Sequence, residues 1–508
     1  DHRDLHSFPT RRSSDLAMKL YHNCYIWQDG KFSHHLMKVL VNNGLIELII
    51  PNDMDTPIAS VSSIDLKGSF VYPGFIDTHT HCFEGGLYSL GVKLDDVVDM
   101  ADLFARLSEA CRSKSPKYPI FAWRFDESSI PERRFPFVSE LDRICSDKPI
   151  ILRRIDGHSC ILNTFARKLI ANDLSTESEI LRGKNNDVAV HYFHSRLDEE
   201  VILQAYSEAA QYALRNGFTG AHTMIGDADQ SIGHYQLIRE NLSTFAIDYT
   251  IYPQSFNIKA ALDVGAKRIG GCILADGSIG SNTAALFDPY KNSVSRGILY
   301  QSDEFWKSFI QEAHKNKMQV AVHCIGDRAI KQINDVYKQI TASDAHDLRH
   351  QLIHCELTNN ELIDDIKLSG AVPVMQPNFD HYWGGKGNLY ERMLGVERAK
   401  HMNRFGSLNS KGIRITGGSD WYITPMDVVQ SIRAAMNHHN PEERLSHAEA
   451  VDIYTRNAAW LSGEELSRGE ITPGYRADFS IMSHALDDSH ATPATKYIVR
   501  GGEIVYES

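Results

Sequence analysis

The chain contains no run of 18 apolar residues, so no segment of it reads as a membrane-spanning helix. It also lacks a basic excess: 53 Lys and Arg stand against 65 Asp and Glu, a formal net charge of −12 with histidine neutral. Nucleic acids and anionic membranes call for the opposite balance and are excluded as expected partners, which leaves a small-molecule ligand. There is no internal repeat and no low-complexity tract. With 42% hydrophobic, 23% charged and 9% aromatic residues, the composition excludes a disordered, collagen-like or coiled-coil chain. Cysteine is sparse, eight residues in 508 without an evident paired spacing, and reads as reduced thiol in a reducing compartment. Histidine is plentiful at 24 residues, and position must decide which of them do chemistry.

Residues 1–17 are polar, rich in Arg and Ser, and precede Met18. They lack the apolar core of a secretory signal and look like translated adapter or vector sequence, a non-native or disordered tail. The native chain is expected to begin at Met18 and to be cytoplasmic. Its length suits one large domain with attachments, or two to three domains.

Short β runs separated by Asp29-Gly30 and Asn43-Gly44 open the fold, and comparable runs close it at 477–482, 497–499 and 504–506. Asp-Gly and Asn-Gly between apolar runs are hairpin signals. The middle carries eight strand-like runs, at 71–79, 219–223, 246–252, 269–275, 319–323, 350–354, 372–376 and 413–419. Helical periodicity fills most of the gaps, as in Phe305, Trp306, Phe309, Ile310 and Ala313. Ser446-x-x-Glu449 is a capping-box signature for a helix running on to Gly463. Repeated β-α units imply an α/β fold with parallel strands, and eight of them imply a (β/α)8 TIM barrel over 71–463. The gap between the first two runs is too long for a connection, so about 84–215 is expected to be an inserted substructure.

His79 and His81 end the first run, and period-two alternation puts both on one face at the C-terminal end, where barrel chemistry sits. A lone His-x-His is weak. Here His323 closes the fifth run, His354 the sixth, and Asp420 follows the eighth, the pattern of a metal centre facing one mouth.

These residues lie in segments that resemble the amidohydrolase superfamily, in its family 3 branch that includes N-substituted formamide deformylases. The matching segments are Pro73-Gly-Phe-Ile-Asp-Thr-His-Thr-His, Leu152-Arg-Arg-Ile-Asp-Gly-His, Ala275-Asp-Gly-Ser-Ile-Gly-Ser, His323-Cys-Ile-Gly-Asp-Arg-Ala, Arg349-His-Gln-Leu-Ile-His-Cys-Glu, Met375-Gln-Pro-Asn and Gly418-Ser-Asp-Trp. The resemblance implies a distorted barrel with a divalent-metal site of one or two ions, most often zinc, and supports a small β-sandwich domain made from both chain ends, 18–70 with 464–508. It implies His79 and His81 as ligands of the more buried metal, and His323 and His354 as ligands of the second. Asp420 would bind metal or its water and shuttle the proton.

One position departs from the pattern. Where many relatives carry a bridging carboxylated lysine, this chain has Cys272, and Lys267 lies five residues earlier with opposite strand parity. A thiolate ligand, suited to zinc, and a packed core thiol both stay open. Arg154, His158, Asp276 and Glu356 are candidate substrate-binding residues; for Arg154 a structural ion pair, and for Asp276 a turn or cap, are equal alternatives. The implied activity is hydrolysis of an amide-type, non-peptide C–N bond by metal-activated hydroxide. A deaminase or esterase on the same barrel, or a metal-poor binding protein, is the alternative. Association into homo-oligomers stays open.

Overall fold

The computed structural model of the chain describes residues 18–508 apart from 56–60, 114–118, 155–158, 227–230 and 344–346. The expected tail at 1–17 and His158 therefore lie outside the described residues. The chain divides into two compact units, one comprising the chain up to Thr80 with Tyr212–Tyr235 and Ala246–Ser508, the other His81–Gln211 with Gln236–Phe245.

In the first unit eight strands, β1 (Phe75–Thr80), β2 (Phe218–Ile225), β3 (Asp248–Pro253), β4 (Arg268–Leu274), β5 (Gln319–Cys324), β6 (Gln351–His354), β7 (Val372–Met375) and β8 (Thr416–Gly417), pair only in parallel. They form a three-stranded sheet, β3-β2-β1, and a five-stranded sheet, β4 to β8 in order. An isolated parallel bridge joins Thr80 at the end of β1 to Trp421 beyond β8. Parallel neighbours need long crossovers, and the helices Asp303–Lys315, Asp327–Ser343 and Asn360–Ser369 supply them between β4, β5, β6 and β7. Every residue of β2 and β5 is buried, as expected of strands covered on both faces. Met224, Tyr252, Ala321, Ile353, Val372 and Val374 form a core between the two sheets.

Two sequence expectations need correction here. The run 71–79 is two strands. Residues up to Pro73 belong to another sheet, and β1 starts after Gly74, where an added Cβ would stand 2.5 Å from Thr219 Oγ1. The Ser446–Glu449 capping box is present, but its helix ends at Asp452 and a second begins at Arg456. Thr455, with φ −124° and ψ −88°, interrupts the helical path between them.

The two chain ends meet in one eight-stranded sheet. Its strand Ser62–Pro73 pairs in parallel with Lys19–Gln28 and antiparallel with Phe479–Met482. Tyr21, Ile26, Val39, Val71, Phe479, Ile481 and Val499 pack its core. The Asn43-Gly44 turn has φ of 50° and 79°, the doubly left-handed geometry that makes this dipeptide a hairpin former.

The second unit has its own five-stranded sheet, in the order Ile180–Arg182, Ser159–Leu162, Ile150–Arg154, Ile120–Phe125, Val92–Lys93. Helices Met100–Ser113 and Val138–Ile144 cover it through Leu103, Leu107 and Leu141. Eight reduced thiols were expected; two are not. Cys111 and Cys145 form a disulfide with Cα atoms 6.1 Å apart, because the two helices pack side by side and bring together residues 34 positions apart. No helix among the described residues is long and apolar enough to cross a membrane.

Candidate metal centre

The centre grows from the adjoining ends of β1 and β8. Asp77, fully buried, accepts the backbone N–H of His79 at 3.1 Å and that of Ser419 at 3.0 and 3.1 Å. Burial pushes its carboxyl up to about 7. The His79 carbonyl accepts the Asp420 N–H at 2.8 Å, and Asp420 Oδ1 lies 3.3 Å from His79 Nε2. Gly418 is required between them, since an added Cβ would stand 2.7 Å from His79 N. Asp420 itself takes a left-handed backbone, φ 55°, directly after this crossing.

β5 and β6 supply the second pair of imidazoles. The His323 and His354 rings meet edge to face with centroids 4.6 Å apart, and His354 meets His79 at 5.2 Å. His354 also stacks on Phe379. Its Nδ1 lies 2.7 Å from Gln376 Oε1, while Gln376 Nε2 donates to the Val374 carbonyl. That second bond sets the amide orientation: an oxygen faces His354, so Nδ1 carries the proton and Nε2 keeps its lone pair for a ligand. Burial holds His354 well below the usual histidine range, and His323 adds to the effect.

Cys272 reaches the centre through a bulge. β4 pairs Gly270 with Ala321 and then Ile273 with Val322, leaving Gly271 and Cys272 as extra residues. Gly270 and Gly271 have φ of 96° and 98°, and an added Cβ on Gly271 would lie 1.7 Å from Met224 Sδ. Alternation along a regular strand therefore does not govern Cys272. Cys272 stands beside His323, and His81 opens the second unit. Burial opposes a charge on His323, but Cys272 and Asp276 beside it outweigh this and raise it to about 9. The groups that hold a proton there would equally favour a cation.

Asp276 is buried and accepts three backbone N–H groups, from Ala285, Ile325 and Gly326 at 2.8–2.9 Å, with His323 Nε2 3.8 Å away. It clamps the loop after β4 to the loop after β5. Glu356 follows two left-handed residues, His354 and Cys355, and accepts the Tyr390 hydroxyl at 2.8 Å; that hydroxyl accepts from Asn403 Nδ2. Burial pushes Glu356 up to about 8. Arg154 lies in the second unit, where its Nε donates to both Glu127 carboxylate oxygens at 2.9 and 3.0 Å. Asp77, Gln376 and Tyr390 were not singled out from sequence. Asp77 shares strand parity with His79 and could have been; Tyr390 comes from a helix with no readable signal.

An amidohydrolase family model matches residues 63–506. The chain belongs to the amidohydrolase family. Among its relatives, YtcJ of Bacillus subtilis (strain 168), named as an amidohydrolase, is 27% identical over 491 residues, 87% of this chain and 90% of the relative. The N-substituted formamide deformylase of Arthrobacter pascens is 22% identical over 500 residues, 87% of this chain and 89% of that protein. An uncharacterized metal-dependent hydrolase from Pyrococcus furiosus shares the fold, with a TM-score of 0.79 at 24% identity over 92% of this chain and 99% of that one. Family membership makes this chain a hydrolase. For this amidohydrolase chain the donor set suits a divalent ion: the buried imidazoles of His79, His323 and His354 meet ring to ring, the Asp420 carboxylate lies beside His79 and the Cys272 thiol beside His323.

Proposed function

We propose that the chain is a metal-dependent hydrolase that cleaves an amide-type, non-peptide C–N bond in a small molecule. The observation that carries this reading is the meeting of three buried imidazoles, His354 against both His323 and His79, with Asp420 Oδ1 3.3 Å from His79 Nε2. His79, His81, Cys272, His323, His354 and Asp420 would hold one or two ions. Imidazole and thiolate donors favour zinc over magnesium or calcium. When bound, such an ion supplies Lewis acidity and lowers the pKa of water from 15.7 to about 7. In hydrolysis, water adds oxygen to the carbonyl carbon, the C–N bond breaks, and the leaving nitrogen gains a proton. Asp420 takes that proton from the water and returns it to nitrogen. Gln376 and Asp77 hold His354 and β1 in place, and Asp276 holds the loops around them.

We assign the two parallel sheets to one closed (β/α)8 barrel from β1 to 463, with 84–215 inserted, and the strands up to Pro73 with 464–508 to a composite β domain. The parallel bridge between Thr80 and Trp421 supports closure.

The test is elemental analysis of purified protein supplied with zinc, wild type beside Cys272→Ala. Bound zinc that falls in the variant supports a thiolate ligand. Zinc unchanged by the substitution makes Cys272 a packing residue, and no bound zinc in the wild type overturns the hydrolase reading. A panel of amides, esters and aminated heterocycles then separates amide hydrolysis from esterase or deaminase activity.

A further inference from the structure

In the second unit, Phe104, Ser108, Cys111 and Arg112 recur at helical spacing along one side of helix Met100–Ser113. Glu140, Arg143 and Ile144 do the same on helix Val138–Ile144, and between the two helices lies a cavity of about 350 Å³. The Cys111–Cys145 disulfide borders it from one side only. Cys111 is half-buried and lines the cavity, whereas Cys145 is 3% exposed and does not. Phe104 and Ile144 supply apolar wall beside the sulfur. The other six cysteines of the chain are free thiols.

Charge around this cavity is uneven. Glu140 is compensated: its two oxygens accept from Arg134 at 2.8 and 2.9 Å, and one also accepts the Phe137 N–H. Arg112 meets Glu109 at 2.8 Å, with both side chains largely in water. Arg143 is exposed and makes no hydrogen bond or ion pair among the described residues; it acts on Glu140 only through space, behind Arg134. On the far side of the disulfide, Lys148 Nζ donates to the Cys111 carbonyl at 2.5 Å. An anion entering the cavity therefore meets a guanidinium that no carboxylate holds, next to a disulfide sulfur that solvent can reach. Thiolates attack disulfides at an accessible sulfur, and a local positive field raises the concentration of anionic reagents.

We propose that this cavity is a thiol-exchange site, in which a low-molecular-weight thiol carrying a carboxylate attacks Cys111 and stays there as a mixed disulfide. The incoming thiol loses its proton to water, and the thiolate forms a bond to Cys111 Sγ. The Cys111–Cys145 bond breaks, and its electron pair leaves on Cys145 Sγ. That thiolate takes a proton from water, and the new thiol donates to Asp147 Oδ1, which lies 3.5 Å from Cys145 Sγ. Protonated, Cys145 is a poor nucleophile for the return attack, so the adduct persists. One disulfide replaces another and no oxidant is consumed. The carboxylate of the bound thiol rests on Arg143. A thiol does not add to free thiols, so the remaining six cysteines do not compete. No residue of the candidate metal centre takes part.

The experiment uses the full chain, oxidised in air, with the disulfide verified by mass. It is treated with 3-mercaptopropionate, 2-mercaptoethanol or cysteamine, which are anionic, neutral and cationic, and exchange is stopped with N-ethylmaleimide. Each rate is divided by that thiol's rate with a small uncharged disulfide, which removes differences in intrinsic reactivity. The adduct should add the mass of one whole thiol, on the peptide that holds Cys111. Corrected rates should favour the anionic thiol over the neutral one by roughly 5-fold, the scale of one exposed ion pair, with the cationic thiol slowest. The chain as a whole is negative, −12 in formal charge, so its general field would give the opposite order. About 1 M salt should erase the preference. Arg143→Glu should reverse it and Arg143→Lys should keep it; Arg143→Gln, which should abolish it, serves if the reversal variant fails to fold. Equal corrected rates, an adduct on Cys145, or a preference that no Arg143 variant moves overturns the proposal. So does a chain that forms no adduct with any of the three thiols, or one whose two sulfurs stay unbridged in air.

Discussion

Two sets of carboxylates, one in each unit, behave oppositely. In the second, Asp96 and Asp102 are held below the usual range by hydrogen bonds from Arg106, and Glu140 by those from Arg134. These groups are charged, partnered and near water. In the first, burial pushes Asp77 to about 7, Asp276 to about 6 and Glu356 to about 8, with hydrogen-bond donors only partly offsetting it. A fold gains nothing from gathering desolvated acids beside His79, His323 and His354 unless something cationic joins them. The contrast separates charge that supports structure from charge gathered for chemistry.

The sharpest way to break this comparison is Asp420→Asn. It should lower turnover at least roughly 1,000-fold while leaving circular dichroism unchanged and metal content largely retained, since the proton carrier is lost and the other proposed ligands remain. Turnover near the wild-type value would move Asp420 to the structural class. Next in size is the second unit's disulfide. Reduction of Cys111–Cys145 should cost that unit about 2–4 kcal/mol, read as a lower urea midpoint with added thiol reductant, without loss of zinc from the centre. Zinc release on reduction would show that the two regions are not independent. Gln376→Leu should weaken zinc affinity roughly 10- to 100-fold by freeing the tautomer of His354. Unchanged zinc affinity, measured by chelator competition, would leave Gln376 a packing residue.

The smallest effect at neutral pH, growing only in acid, is a pH dependence in the second unit. Burial lowers His194 to about 3, and Arg153 adds to the effect, so the folded state keeps it neutral while the unfolded chain protonates it near 6.5. The stability it contributes is therefore complete above pH 6.5 and is lost as pH falls toward 3, by up to about 1.4 kcal/mol per pH unit. His194→Gln should flatten the acid side of the stability curve by that share. An identical curve in the variant would mean that His194 is solvated.

Legibility followed regularity. His79, His323 and His354 were readable because each stands at or one residue before the end of a short apolar strand, β1, β5 or β6, and Asp420 because it follows Gly417-Gly418-Ser419 at the end of β8. Cys272 was named by motif register, yet the strand parity used around it does not apply, because the Gly270-Gly271 bulge inserts two residues into β4. Glu356 was placed by parity as well, although left-handed His354 and Cys355 set its direction. Arg154 engages Glu127, a partner 27 residues away that no local spacing announces.

The amino-acid order alone determined the α/β class, the strand sequence, the hairpin turns and which histidines stand at strand ends, because each depends on periodicities of two to four residues and on local backbone preferences. Only tertiary structure decided the remainder. It brought Cys111 to Cys145, turned Gln376 toward His354, set Tyr390 on Glu356 and opened the cavity beside Cys111. These depend on how distant elements pack, and close packing is a property of volumes meeting in space that no short window of sequence contains.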